Sequence, residues 1–249
     1  MDINNEYGIL EIQKKYLELI AQVHKHCVQN AVEYSLSDGS LLGAIRHGGF
    51  IPWDDDMDIV VTRNHYNKFR DSIKGNEEFE IIQDTWVPRI AKKNDNSGLY
   101  IDIFIFDPAP DNKLLSALKV FLLKILQGML KKEIVLSRYS FAEKILVVVT
   151  HVLGLLFTEK CKKSMYTTLS QLGKNHSTKY VCKYNDLFAY IGLKYPKNII
   201  ANYKLVPFEN LELSIMEGYD ECLTLLYGNY MVPPNENDRK PMHSARTDV

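Results

Sequence analysis

Residues 37–63 read SDGSLLGAIRHGGFIPWDDDMDIVVTR, and the fold is decided in this stretch. Ser37-Asp38-Gly39 is a turn-forming triplet. Ser40 to His47 has the composition of a short helix, which Gly48-Gly49 stops. Met57 to Val61 is a compact apolar run of strand length. A turn, a helix and a strand entered through a row of carboxylates therefore follow one another without interruption.

The chemistry sits at the two ends of the stretch. On an extended chain, residues two apart face the same side, so Asp56 and Asp58 aim at one site while Met57 points away. Paired carboxylates repel unless a cation lies between them, and hard oxygen donors suit Mg²⁺ or Mn²⁺. Gly39 lets a phosphate approach the backbone, and Ser40 opens a helix whose free N–H groups and positive dipole end favour an anion. Arg46 and His47 lie about two turns further on. Arg46 either contacts a phosphate or holds Asp54 or Asp55 in place. A phosphate cradle beside a carboxylate pair equips a chain for metal-assisted phosphoryl transfer.

Outward from this stretch, residues 9–27 carry Ile9, Ile12, Tyr16, Leu19, Ile20, Val23 and Cys27 at helical spacing, which predicts one long amphipathic helix. Short strands are expected at 32–36, 79–82 and 100–106, and a polar helix around Tyr66 and Phe69. In Tyr100–Phe106 an aspartate alternates with β-branched and aromatic residues. A lone charge on a buried strand needs a partner, so Asp102 is expected to be a third metal ligand or the base that takes an acceptor's proton. Asp107, before Pro108, is expected to cap a turn. The first half thus reads as α/β with one mixed sheet.

Each of these features has a plainer reading. Acidic triplets are commonly solvated turns, Arg46-His47 can be an exposed helix end, and Asp102 can be a salt-bridged core residue. Their combination in one short unit favours chemistry.

Residues 112–172 differ in character. The runs 114–130 and 145–157 are strongly apolar and lack Pro, yet both are shorter than the ~20 apolar residues that span a bilayer. They are expected to be core helices, with a membrane-surface role as the second reading because Lys131 and Lys132 flank the first run. From Asn235 on the chain is polar and expected to be partly mobile.

Composition sets limits. Apolar residues make up 46% and charged residues 24%, ordinary for a chain that buries a core. Thirty Lys and Arg against 31 Asp and Glu give no long-range field for nucleic acid. Cys27, Cys161, Cys182 and Cys222 form no C-x-x-C pair, which argues against zinc and a disulfide framework. MDINNEYGIL shows no basic n-region followed by an apolar h-region, so the expected location is the cytoplasm, at the inner face of the membrane if the 112–157 helices dock there.

The 37–63 stretch with Tyr66 and Phe69, YIDIFIFD at 100–107, VPFENLEL at 206–213 and YGNYMVPPNENDR at 227–239 with His243 resemble the signature of the LicD phosphocholine transferases, relatives of the fukutin-related proteins in the nucleotidyltransferase superfamily. The resemblance implies an α/β (α+β) fold: a nucleotidyltransferase-like mixed sheet flanked by helices, with a helical insertion. It places the catalytic core at 1–110, a mainly helical region at 111–200 and a segment completing the substrate site at 201–249.

The implied reaction is Mg²⁺-dependent transfer of phosphocholine from a CDP-linked donor to a sugar hydroxyl of a cell-surface glycan (lipopolysaccharide or teichoic acid) or its lipid-linked precursor, releasing CMP. Asp56, Asp58 and Asp102 become metal ligands and catalytic carboxylates. Gly39, Ser40, Arg46, His47, Asp55, Arg239 and His243 become substrate-binding. Gly48 and Ile105 depart from common Lys and Pro of the pattern, which leaves the substrate more open than the reaction class. Transfer of ribitol phosphate, glycerol phosphate or a nucleotide on the same fold is the alternative enzyme reading, and a non-catalytic scaffold the alternative class. For choline, Trp53, Trp86 and the many tyrosines are candidates for an aromatic box.

Overall fold

A computed structural model describes residues 7–95, 97–131, 141–173 and 178–241. In chain order the elements are α1 (Leu10–Gln29), β1 (Ser35–Leu36), α2 (Asp38–His47), β2 (Asp58–Thr62), α3 (Arg63–Ser72), β3 (Phe79–Ile82), β4 (Arg89–Lys92) and β5 (Tyr100–Ala109). Three helices follow: α4 (Lys113–Leu130), α5 (Phe141–Gly154) and α6 (Glu159–Ser170). The chain continues through β6 (Tyr180–Lys183), β7 (Tyr195–Pro196), β8 (Tyr203–Phe208), β9 (Leu211–Met216) and α7 (Tyr219–Tyr227). The class is α/β, as expected.

Two compact units divide these elements. Among the described residues the first contains 7–82, 88–104 and 198–241, and the second contains 83–87 and the chain from 105 to 197. The helical region, expected at 111–200, therefore begins inside β5 and ends before residue 200. Residues from 198 on return to the first unit.

In the first unit the sheet order is β1-β2-β5-β4-β3. β1 pairs antiparallel with β2 (Ser35 opposite Val60), β4 with β5 (Arg89 opposite Asp102) and β3 with β4 (Phe79 opposite Lys92). β2 meets β5 where the Asp102 N–H donates to Met57 O at 3.1 Å. The helical spacing in α1 has the expected result: Tyr16, Leu19, Ile20, Val23 and Cys27 are all buried. Each large apolar side chain so buried contributes about 1.5–3 kcal/mol. The β8–β9 hairpin adds a separate layer, bonded to β1 through Ser35 Oγ, which accepts the Met216 N–H at 2.9 Å.

Several boundaries differ from expectation for local reasons. The strand expected at 32–36 shrinks to Ser35–Leu36 because the Val32 N–H is spent on Cys27 O at 2.8 Å, closing α1. α2 begins at Asp38 rather than Ser40, so the turn triplet is already its cap and first turn; Gly48 in the left-handed region (φ 68°) ends it. β4 lacks the long apolar run that would have marked it. Asp107 does not cap a turn. β5 runs on through Pro108 to Ala109, pairing with β6, and Asp107 lies opposite Cys182 and fully buried.

In the second unit α4, α6 and β6 enclose a core of Leu123, Leu126, Met129, Tyr166, Cys182 and Tyr184, with Trp86 packed against it. Here the core-helix expectation is only half met. Leu123, Leu126 and Met129 turn inward, while Leu114, Leu115, Leu118 and Phe121 of the same helix are exposed. Among the described residues no helix is long and apolar enough to cross a membrane.

Candidate active site

The loop between α2 and β2 carries the acidic run, and three polar contacts fix it. From α1, the Gln13 side-chain amide donates to Ile51 O (3.2 Å) and Asp54 O (3.0 Å). From the β8–β9 turn, Glu209 accepts the Phe50 N–H at 3.0 Å and donates its own N–H to Gly48 O at 2.8 Å. Phe50 and Phe208 meet edge to face at 4.9 Å. At the strand entrance, buried Ser40 Oγ accepts the Asp58 N–H at 2.9 Å, tying the first turn of α2 to the first residue of β2.

These contacts gather carboxylates. Burial first, then the charges of Asp56, Asp38, Asp102 and Asp54, hold the Asp58 carboxyl well above the usual carboxylate range. Asp54 is raised in the same way, by burial and then by Asp56, to which its side chain is hydrogen-bonded. Two carboxyl groups share a hydrogen bond only when one keeps a proton, and a divalent cation is the other species able to take that place. The donor chemistry therefore fits Mg²⁺. The arrangement is open, however: among the described residues no three His, Cys, Asp or Glu side chains are drawn together as a closed metal site.

Asp102 has a partner that the sequence left undecided. Its Oδ1 is 3.0 Å from Arg89 Nε, across the β4–β5 ladder, and the Arg89 guanidinium lies 4.1 Å from the centre of the Tyr100 ring. Asp102 is thus a salt-bridged strand residue whose charge is also felt by Asp58.

At the phosphate turn, a Cβ built on Gly39 would collide with the Asp54 carboxylate. The missing side chain makes room for Asp54. Asp38 takes φ 46°, unusual for a side chain larger than glycine, and its Oδ2 accepts from Ser37 Oγ at 2.6 Å. Such strain costs about 1 kcal/mol or more and collects at functional sites.

A cationic and aromatic cluster occupies the same loop's other flank. The Arg46 Nη1 donates to Tyr230 O at 2.9 Å. Arg239, placed by a short turn at Glu236–Asp238, stacks 5.3 Å over Trp53. His47 and Tyr7 meet Trp53 edge-on. Desolvation and the neighbouring Arg46 charge push the His47 imidazole below its usual value. α7 lies against α2 and brings Tyr227 close to Arg46.

The expected residues are therefore divided. Asp56, Asp58 and Asp102 interact electrostatically, and Arg46, His47 and Arg239 cluster around Trp53. Ser40 and Gly39 support the acidic loop from below. Asp55 is buried, and His243 lies outside the described residues. Trp86 belongs to the helical unit's core. Residues 235–241 are mostly exposed, with Arg239 stacked on Trp53.

Four contributors were not singled out from sequence. Tyr16, read as core, is buried with its hydroxyl pushed far up by burial and by Asp56, Tyr100, Asp102 and Asp58. Asp38 and Asp54 were passed over beside the D-x-D pair, although both are present in the same quoted stretch. Arg89 has no local signal, since only strand register brings it to Asp102.

Comparison with known proteins shows what the chain is similar to. Residues 31–119 match the model of the LicD/FKTN/FKRP nucleotidyltransferase domain. The chain is 29% identical over 94% of its length to the lipopolysaccharide cholinephosphotransferase LicD of Haemophilus influenzae, covering 95% of that protein. It is 30% identical over 31% of its length to the ribitol 5-phosphate transferase FKRP of Mus musculus, covering 17% of that chain. The matched segment holds Asp56, Asp58 and Asp102, and over nearly its whole length this chain is similar to the LicD cholinephosphotransferase.

Proposed function

We propose that this chain transfers a substituted phosphate, of the phosphocholine type, from a CDP-linked donor to a sugar hydroxyl of a cell-surface glycan or its lipid-linked precursor. The observation that carries the reading is the gathering of the Asp54, Asp56 and Asp58 carboxylates at the loop between α2 and β2, where Trp53 of the same loop meets His47 at the end of α2 and Arg239 of the C-terminal segment. Arg46 and Arg239 bind the donor's phosphates, and His47 gains a proton when an anion arrives beside it. Asp102, oriented by Arg89, accepts the proton of the attacking hydroxyl. The sugar oxygen bonds to the phosphorus that bears the head group, the anhydride bond to CMP breaks, and CMP leaves with its electron pair. Mg²⁺, held by Asp56 and Asp58 when bound, supplies neutralisation of the pyrophosphate charge.

One observation supports a second head group. The Trp53 ring that would receive a quaternary ammonium already holds the Arg239 guanidinium, which leaves less aromatic surface for choline and favours a polyol phosphate such as ribitol phosphate. A donor panel of CDP-choline, CDP-ribitol and CDP-glycerol, with glycan acceptors and Mg²⁺, decides between them. Preferential CMP release from CDP-choline names the first reading. Preference for a polyol donor names the second. A folded protein that uses no donor with any acceptor refutes both.

A further inference from the structure

We propose that the exposed faces of α4 and α5 seat the helical unit on the surface of a bilayer rich in anionic lipid. This face belongs to the helical unit, apart from the carboxylates assigned to the transfer reaction.

Single exposed apolar residues are ordinary on soluble proteins, whereas continuous rows of them mark interaction surfaces. α4 exposes Leu114, Leu115, Leu118 and Phe121, and α5 exposes Val148, Val149 and Val152, followed by Leu155 and Leu156. Leu114 and Leu156 are each 77% exposed. Leu122 and Phe157, also exposed, line an apolar cleft of about 580 Å³ between α4 and α6, wide enough for part of an acyl chain.

The charge around these rows selects the occupant. On these two helices and at the end of α4, Lys113, Lys124, Lys131 and Lys144 are at least partly exposed, Lys119 is buried, and α4 carries no Asp or Glu, while the whole chain is at −1. Between Ile145 and Thr158 it has no Asp, Glu, Lys or Arg. Lys113 and Lys160, both exposed, border the apolar rows. A second copy would bring the same positive charge against itself. Anionic headgroups complement it, at about 1 kcal/mol for each nearby cation. An α4 of 18 residues is about 27 Å long, and helices of this pattern lie in the interface with one face immersed.

The test is flotation of the full chain with vesicles of phosphatidylcholine alone and of phosphatidylcholine mixed with phosphatidylglycerol, comparing wild type with Phe121→Asp, Val149→Asp and the control Leu205→Asp. All three positions are exposed, and circular dichroism checks that each variant is folded. The expected result is flotation with the anionic vesicles, weakened at least about tenfold by Phe121→Asp and Val149→Asp, as the burial of one large side chain is lost, and unchanged by Leu205→Asp. Four results overturn the proposal. They are absence of flotation, equal binding to neutral vesicles, binding indifferent to both face variants, and a wild-type dimer that these variants disperse.

Discussion

Ser40→Ala separates two roles for the turn that opens α2. The hydroxyl accepts the buried Asp58 N–H at 2.9 Å, so its removal loses one hydrogen bond and leaves a donor without water or acceptor. That combination costs about 1–3 kcal/mol. In a chain of this size each kcal/mol moves the melting temperature by about 2–4 °C, so the drop should lie between about 2 and 12 °C. Asp58 also loses its register against α2, and kcat should fall while the donor KM changes little. Thermal melts with and without urea, run beside initial-rate kinetics, measure both effects. If the hydroxyl instead served mainly to hold a donor phosphate, the melt would stay within about a degree of wild type and KM would rise. That pattern would falsify the positioning role assigned to Ser40.

Other expectations follow from the same contacts. Because Asp54 and Asp58 are raised in the folded state, they keep protons that the unfolded chain loses above about pH 4. Their contribution to stability is therefore full below that pH and is lost as pH rises toward the folded values. Asp58→Asn should flatten this decline in urea midpoints taken from acid to neutral pH, and an unaltered pH profile would contradict the clustering. Mg²⁺ should raise the melting temperature of wild type at neutral pH and leave Asp58→Asn nearly unmoved. Gly49→Ala drives a methyl into the Glu209 carboxylate that holds Phe50, at a cost of about 1 kcal/mol. Combined with Glu209→Ala it should be clearly non-additive in a double-mutant cycle, and simple additivity would remove the clamp. In the helical unit, Lys183 and Asp186 form an ion pair at 3.1 Å with side chains 1% and 4% exposed. Lys183→Met should destabilise by about 3–5 kcal/mol, with partial recovery on adding Asp186→Asn, measured by urea denaturation.

Much of this architecture is legible in the chain because local patterns carry it. The α1 face announces itself by spacing, α2 by its glycine stop, β2 by a compact apolar run after Asp58 and β5 by an apolar run holding Asp102 and Asp107. The D-x-D pair, Arg46, His47 and Arg239 are readable because family-like segments frame them. What escaped reading depends on distance in sequence. Arg89 reaches Asp102 through strand register, Glu209 reaches Phe50 across 159 residues, and Tyr16 faces the carboxylates from a helix whose periodicity only says that it is buried. Asp107 was misread because a proline follows it, although β5 tolerates Pro108 and continues. The apolar runs of α4 and α5 were legible as helices, but periodicity gives no measure of how much of their surface stays uncovered.

The most direct test of the central claim is phosphorus NMR of CDP-choline with a glycan acceptor, following wild type and Asp58→Asn with Mg²⁺ and with EDTA, and repeated with CDP-ribitol. The account predicts CMP and a new phosphodiester signal from wild type with Mg²⁺ alone, and neither product with EDTA or from a folded Asp58→Asn. Equal turnover by Asp58→Asn, or turnover undiminished by EDTA, would contradict it.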